Sequence, residues 1–199
     1  MGASPIPFKT ASTKRADVVS MTDYRRLFVR GGTYFFTVNA ARPGSTLLTD
    51  NIDILRAVMA ETHAEHPCRL DAIVILPDHL HTVMTLPRGE SNFPLIWNKI
   101  KGRFSRRLDW SGPRSRSKLS KRERGIWQRR YWEHLIRDPN DFRTHVEYCW
   151  INPVRHGFVQ HVRDWPYSSF HRDVARGVVS SDFAGDILNG EFGELAASE

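Results

Sequence analysis

The fold turns on one stretch, Leu70-Asp71-Ala72-Ile73-Val74-Ile75-Leu76-Pro77-Asp78-His79-Leu80-His81-Thr82-Val83-Met84-Thr85-Leu86. Its first seven residues are a nearly unbroken apolar run of strand length, which predicts a central strand buried on both faces. Pro77-Asp78 makes a turn, and His79 to Leu86 returns as the antiparallel partner. Side chains alternate across a strand, so His79 and His81 share one face while Leu80 takes the other. Two imidazoles thus converge, and neutral imidazole nitrogen is the commonest protein metal ligand. Such a pair leaves positions open for a third protein group, water and a substrate oxygen. The chain has nine His, so an accidental H-x-H is the plain alternative and the remaining sequence has to decide.

Upstream, Gly31-Gly32 signals a turn into Thr33-Tyr34-Phe35-Phe36-Thr37-Val38-Asn39, a strand of aromatic and β-branched residues. Asp50 can cap a helix in which Ile52, Leu55, Val58 and Met59 recur at helical spacing toward His63. Downstream, Asn92 to Leu108 reads as a helix with Phe93, Ile96, Ile100 and Phe104 on its apolar stripe and Lys99, Arg103, Arg106 and Arg107 off it. Residues 109–125 then collapse into Ser, Gly, Pro and basic side chains, a loop that is either merely solvated or an arm that neutralises phosphates.

Trp127 to Ile136 is a further strand, with Trp132 assigned to the core. Asp138-Pro139-Asn140-Asp141 is a strong helix start: an N-cap Asp, Pro at the first position and an acid in the first turn. Phe142, Val146 and Cys149 should face the core, which leaves Tyr148 and Asn152, one turn apart on a different flank, looking outward. Pro153 should end or kink this helix, and Gly157 should cap it.

The organisation is a disordered extension over residues 1–20, one domain over 21–185 and a flexible tail over 186–199. Lys and Arg number 29 against 22 Asp and Glu, a formal charge of +7 with a pI near 9.8. That balance suits a phosphate-rich partner. Cys68 and Cys149 stand far apart with no C-x-x-C spacing, so neither a disulfide framework nor a zinc knuckle is suggested. The chain has no apolar run of membrane-span length and no secretory-type apolar segment near its start. The expected location is the cytoplasm, in association with the nucleoid.

A phenol with a pKa of about 10 is a poor nucleophile at neutral pH and becomes useful where a cation sits beside the electrophile. A metal on the histidine pair and a side-chain amide could polarise a phosphodiester for in-line attack by Tyr148. The product, a phosphotyrosine with a free sugar hydroxyl, retains the energy of the broken diester and can be run backwards to join strands.

Five blocks resemble the REP-associated tyrosine transposases, the single-tyrosine HUH group related to small insertion-sequence transposases. They are DYRRLFVRGGTYFFTVN from Asp23, VILPDHLHTVMTLP from Val74, IWQRRYWEHLIRD from Ile126, HVEYCWINPVRHG from His145 and DWPYSSFHRDV from Asp164. The resemblance spans about Tyr24 to Gly185; the long basic loop, the extra first twenty residues and Cys149-Trp150 depart from the familiar pattern. It implies His79 and His81 as metal ligands, Asn152 as the third ligand and Tyr148 as the nucleophile, with magnesium or manganese as the ion. It also implies an α+β, ferredoxin-like HUH domain with helices packed on an antiparallel sheet, in agreement with the element order read above.

The implied substrate is single-stranded DNA folded into REP-type palindromic hairpins, nicked and joined through a 5′-phosphotyrosine, by a monomer or homodimer. Charge alone nominates Arg25, Arg26, Lys101, Arg103, Arg106, Arg107, Arg114, Arg116, Lys118, Arg129 and Arg130 as DNA contacts. Two other readings are a hairpin-binding protein without catalysis and a metal-dependent hydrolase that forms no covalent intermediate.

Overall fold

The predicted antiparallel hairpin forms, but at the rim of the sheet. In a computed structural model, which describes residues 26–109, 112, 116–120, 124–185 and 192, the chain order is β1 (Thr33–Asn39), α1 (Leu47–Asp50), α2 (Ile52–Glu65), β2 (Arg69–Ile75), β3 (His79–Thr85), α3 (Phe93–Arg107), α4 (Arg116–Ser120), β4 (Trp132–Leu135), α5 (Pro139–Arg155), a 3₁₀ turn at Val162–Asp164 and α6 (Phe170–Ala175). The extension over 1–20, Arg25, Arg114, the Lys118 side chain and all of the tail except Phe192 lie outside the described residues. The four strands pair antiparallel in the order β2-β3-β1-β4, the ferredoxin-like arrangement that the element order implied.

The expectation that β2 is central is therefore overturned: β3 and β1 are the inner strands. Both faces of β2 are nevertheless covered, Ile73 and Ile75 by the α2–α3 layer and Ala72, Val74 and Leu76 by the α5 layer. The free edge of β2 is closed by chain that follows α5, where the Ile75 amide donates to Tyr167 O at 2.9 Å and the Ser169 amide to Ile73 O at 2.8 Å. Register shifts between Leu70 and Ala72, and the Arg172 guanidinium donates to the carbonyl oxygens of Leu70 and Asp71 at that irregularity. An edge satisfied in this way can be as apolar as a central strand. The fourth strand is shorter than the expected 127–136, and Trp127 joins the sheet only through an isolated bridge to Ala40.

Strand alternation divides the core in two. Tyr34, Phe36, Val38, Leu80 and Met84 point to the layer formed by α2 and α3, where the predicted stripe of Phe93, Ile96, Ile100 and Phe104 is buried. Phe35, Val83 and Val74 point to α5, and His79 and His81 share that parity.

Asp138 caps α5 as read, its carboxylate accepting from the Asn140 and Asp141 amides at 2.9 Å each. The helix does not stop at Pro153 but continues to Arg155. Proline removes one amide donor, yet it falls in the last turn, where the His156 amide still donates to Asn152 O and Gly157, at φ +70°, closes the end.

Tyr148 and Asn152 do not look outward; both are fully buried. Along with Cys149, Trp150 and Ile151 they form a stretch buried around most of the helix circumference. One side of α5 lies on β2 and β3, and the chain beyond it brings Val162, Phe170 and Phe183 against Trp150 and its neighbours. A helix enclosed on two sides has no solvent flank of the kind a single apolar stripe suggests.

Candidate active site

The sheet face that carries His79 and His81 meets the flank of α5 that carries Tyr148. The two imidazole ring centres lie 4.9 Å apart at 81°. Tyr148 approaches from the helix, its ring centre 5.2 Å from that of His81 and nearly perpendicular to it. Asn152 lies one helical turn further along α5.

Hydrogen bonds fix which nitrogen each imidazole can offer. The Nδ1 of His79 is 2.7 Å from Asp78 Oδ1, so an ionised Asp78 draws the ring proton to Nδ1. Burial would raise the Asp78 carboxyl, but the hydrogen bonds from His79 and from the Gly44 amide, at 2.5 Å, together hold it below the usual carboxylate range. The Nε2 of His79 is then left with its lone pair, buried and without a hydrogen-bond partner among the described residues.

For His81 the argument runs through Thr37. Its hydroxyl donates to Phe192 O at 2.5 Å, so its single proton is committed and it can only accept from His81 Nδ1, 2.9 Å away. Both imidazoles therefore present Nε2 as a neutral donor, which is the form a divalent cation binds. Two imidazoles whose Nδ1 positions are engaged by Asp78 and Thr37 are a nitrogen donor pair that a divalent cation can bind.

Three neighbours of this cluster were not singled out from sequence. The His156 ring lies 5.1 Å from His79, and the Arg155 guanidinium lies 4.9 Å above the Tyr148 ring. Both follow Tyr148 and Asn152 at helical spacing, a signal the sequence did contain. Phe192 stacks on Tyr148 with ring centres 3.6 Å apart and planes 15° apart, and no local pattern announces that contact.

One other group has ligand atoms close together, His134, Asp141 and His145, all within 4.8 Å of one another. It works as a brace between β4 and α5. Asp141 accepts from His134 Nε2 at 2.9 Å and from the Arg137 amide at 3.0 Å, while His145 Nδ1 donates to Asp141 O at 2.8 Å, so the three side chains tie the strand to the first turns of the helix.

The basic candidates divide by environment. Arg103 forms a bidentate pair with Glu65 at 2.5 and 2.6 Å, and Arg107 one with Glu61 at 2.8 Å, which places both in the α2–α3 contact. Arg26 pairs with Glu133 at 3.0 Å and lies over the Tyr131 ring. Lys101 donates to Gln128 O and Arg129 to Ser117 on α4, and Arg106, Arg116 and Arg130 are exposed.

Residues 36–148, more than half of the chain, match the model of the IS200-like transposase family. A REP-associated tyrosine transposase from Escherichia coli K12 is 42% identical over 178 residues, covering 89% of this chain and all of the relative. The chain belongs to the REP-associated tyrosine transposases. A solved REP-associated tyrosine transposase bound to a REP hairpin, also 42% identical, superposes with a TM-score of 0.78 over 89% of this chain and all of that one. Membership makes the protein an enzyme of the tyrosine transposase class, and the α+β HUH fold read from sequence is the fold of that relative. No helix among the described residues of this transposase is long and apolar enough to cross a membrane.

Proposed function

We propose that this transposase nicks and rejoins single-stranded DNA at REP-type hairpins through a 5′-phosphotyrosine at Tyr148, with a divalent ion held by His79, His81 and Asn152. The carrying observation is that the Tyr148 ring lies 5.2 Å from His81 on one shared face of a single chain. Tyr148 accordingly serves the histidine pair of its own subunit. The relative solved with a REP hairpin supports the substrate class.

Magnesium or manganese bound at the histidine pair would draw charge from a phosphodiester oxygen and offset the charge of the pentavalent transition state. The protein's own groups do the remainder. Tyr148 attacks phosphorus as its phenolic proton leaves, the bond from phosphorus to the 3′ oxygen breaks, and that oxygen takes up a proton to become a 3′-hydroxyl. Arg155 keeps a positive charge beside the ring as the phenol becomes anionic. Asp78 and Thr37 hold the imidazoles in the tautomers that leave Nε2 available. For attack to occur the phenol must be uncovered, so Phe192 has to move off its ring. Exposed Arg106, Arg116 and Arg130 are the candidates for phosphate contacts, with Arg103 and Arg107 secondary because carboxylates already neutralise them.

Labelled hairpin DNA incubated with manganese or magnesium and run on a denaturing protein gel tests this. A covalent adduct that is lost in Tyr148→Phe is the expected result. Cleavage without an adduct would mean a hydrolase, and binding with neither would mean a recognition module.

A further inference from the structure

The flank of α5 that carries Tyr148 and Asn152 runs on for one more turn, to His156. His156 closes the helix: its amide donates to Asn152 O at 3.0 Å, and Gly157, at φ +70°, turns the chain away after it. At this exposed end the His156 ring stands 5.1 Å from that of His79 and at 66° to it. His79 therefore has two imidazole neighbours of similar spacing and tilt, His81 from its own strand and His156 from the helix.

That spacing is the one ligands of a single ion adopt. A nitrogen about 2.1 Å from a divalent ion puts its ring centre about 3.25 Å away, so two rings at ligand angles of roughly 90 to 110° have centres about 4.6 to 5.3 Å apart. The 4.9 Å to His81 and the 5.1 Å to His156 both fall within that interval. Tilt matters as much as distance, because the lone pair lies in the ring plane. His134 and His145 are 4.6 Å apart with planes only 15° apart, so they have the spacing of a ligand pair while their lone pairs lie in stacked planes that do not meet at one point. The rings around His79 cross instead of stacking, at 81° and 66°.

His156 is also held from behind. Its ring stacks on Phe158 at 5.9 Å and 23°, Phe158 stacks on Trp165 at 5.4 Å and 28°, and the Trp165 indole donates to Ile75 O at 3.0 Å. This ladder ties the ring to β2, the strand paired with the one that carries His79. It gives a use to Phe158, a large apolar side chain that is 45% exposed. A ligand whose ring is already supported loses less freedom when it binds, and the C-terminal end of a helix carries the partial negative charge that favours a cation. We infer that His156 is a further ligand of the divalent ion, adding a third imidazole from the end of α5 to the pair on β3. The inference rests on the metal reading proposed above and extends its ligand set, so that the ion would fasten the helix that carries Tyr148 to the strand that carries the histidine pair.

The test is the binding of manganese alone, without DNA, to the unaltered chain, His156→Ala, His81→Ala and His161→Ala. His161 is exposed and pairs with Asp164 at 3.1 Å, and it serves as the control. With histidine labelled by nitrogen-15, electron–nuclear double resonance of the bound ion counts the imidazoles attached to it. The unaltered chain and His161→Ala should show three and differ by less than about twofold in affinity. His156→Ala should show two and bind about tenfold or more weakly, since a direct ligand contributes at least as much as the partners that orient it. An unchanged nitrogen count in His156→Ala overturns the inference even if the affinity falls, and so does a count of two in the unaltered chain. Affinity that falls with His81→Ala and not with His156→Ala leaves the ion on the histidine pair and removes only His156. Affinity that falls with neither removes the ion site and the inference together. The covalent adduct at Tyr148 is scored separately on the hairpin, which keeps the loss of this ligand distinct from a failure of the strand-transfer reading.

Discussion

Asp78 decides which nitrogen of His79 is left without a proton, because its carboxylate accepts a hydrogen bond from Nδ1–H at 2.7 Å. Replacing it with alanine frees the ring to adopt the other tautomer and to rotate. Partners of this kind typically contribute tenfold to a hundredfold to metal affinity, so Asp78→Ala should weaken manganese binding by about that factor. A manganese titration followed by electron paramagnetic resonance measures it, and an unchanged dissociation constant would refute the tautomer argument. Phe192 acts at the same scale on Tyr148, the proposed nucleophile. With its ring 3.6 Å from that of Tyr148, it blocks the approach of a phosphodiester, and Phe192→Ala should raise the rate of adduct formation on hairpin DNA. A rate equal to that of the unaltered chain would show that the contact does not limit access.

At the scale of elements, α5 carries both Tyr148, the proposed nucleophile, and Asn152, and its start is fixed by the Asp138 carboxylate accepting two amides. Losing such a cap typically costs about 1 kcal/mol, so Asp138→Ala should lower the urea-unfolding free energy by roughly that amount. A change near zero would mean that packing alone holds the first turn. This start was legible in the sequence because N-cap, proline and acid are local signals. So were the β2–β3 hairpin and the shared face of His79 and His81, which follow from alternation and one turn. The burial of Tyr148 was not legible, since periodicity gives directions relative to one covered side and cannot show that residues 162–183 return over another. The edge position of β2 escaped for the same reason: the Tyr167 and Ser169 bonds that complete it lie about ninety residues away. The contact of Phe192 with Tyr148 also spans a sequence separation that no local pattern reaches.

For the molecule as a whole, the two helical layers are held by unlike means. The α2–α3 layer adds the Arg103–Glu65 and Arg107–Glu61 pairs to its apolar stripe, which is why two cations read as DNA contacts are found turned toward carboxylates. The α5 layer is joined to β4 by His134, Asp141 and His145, and here protonation and folding are linked. Burial lowers the pKa of His145, and of His63 on α2, below the ordinary value of 6.5. In the unfolded chain each would take up its proton near pH 6.5, so the stability is full above that value and is lost as the pH falls through the lower folded values. Asp141 adds a second loss at more acid pH. Burial would raise its carboxyl, but the hydrogen bonds from His134 and the Arg137 amide hold it below 3.8, and its contribution disappears as the pH drops through that folded value. Urea midpoints measured with a chelator present should therefore be level above about pH 7, decline below 6.5 and decline again under 3.8. His145→Gln should make the first decline shallower and leave the part that His63 contributes. A midpoint that rises on acidification from pH 7 to 5 would refute the assignment of these histidines as neutral in the folded protein.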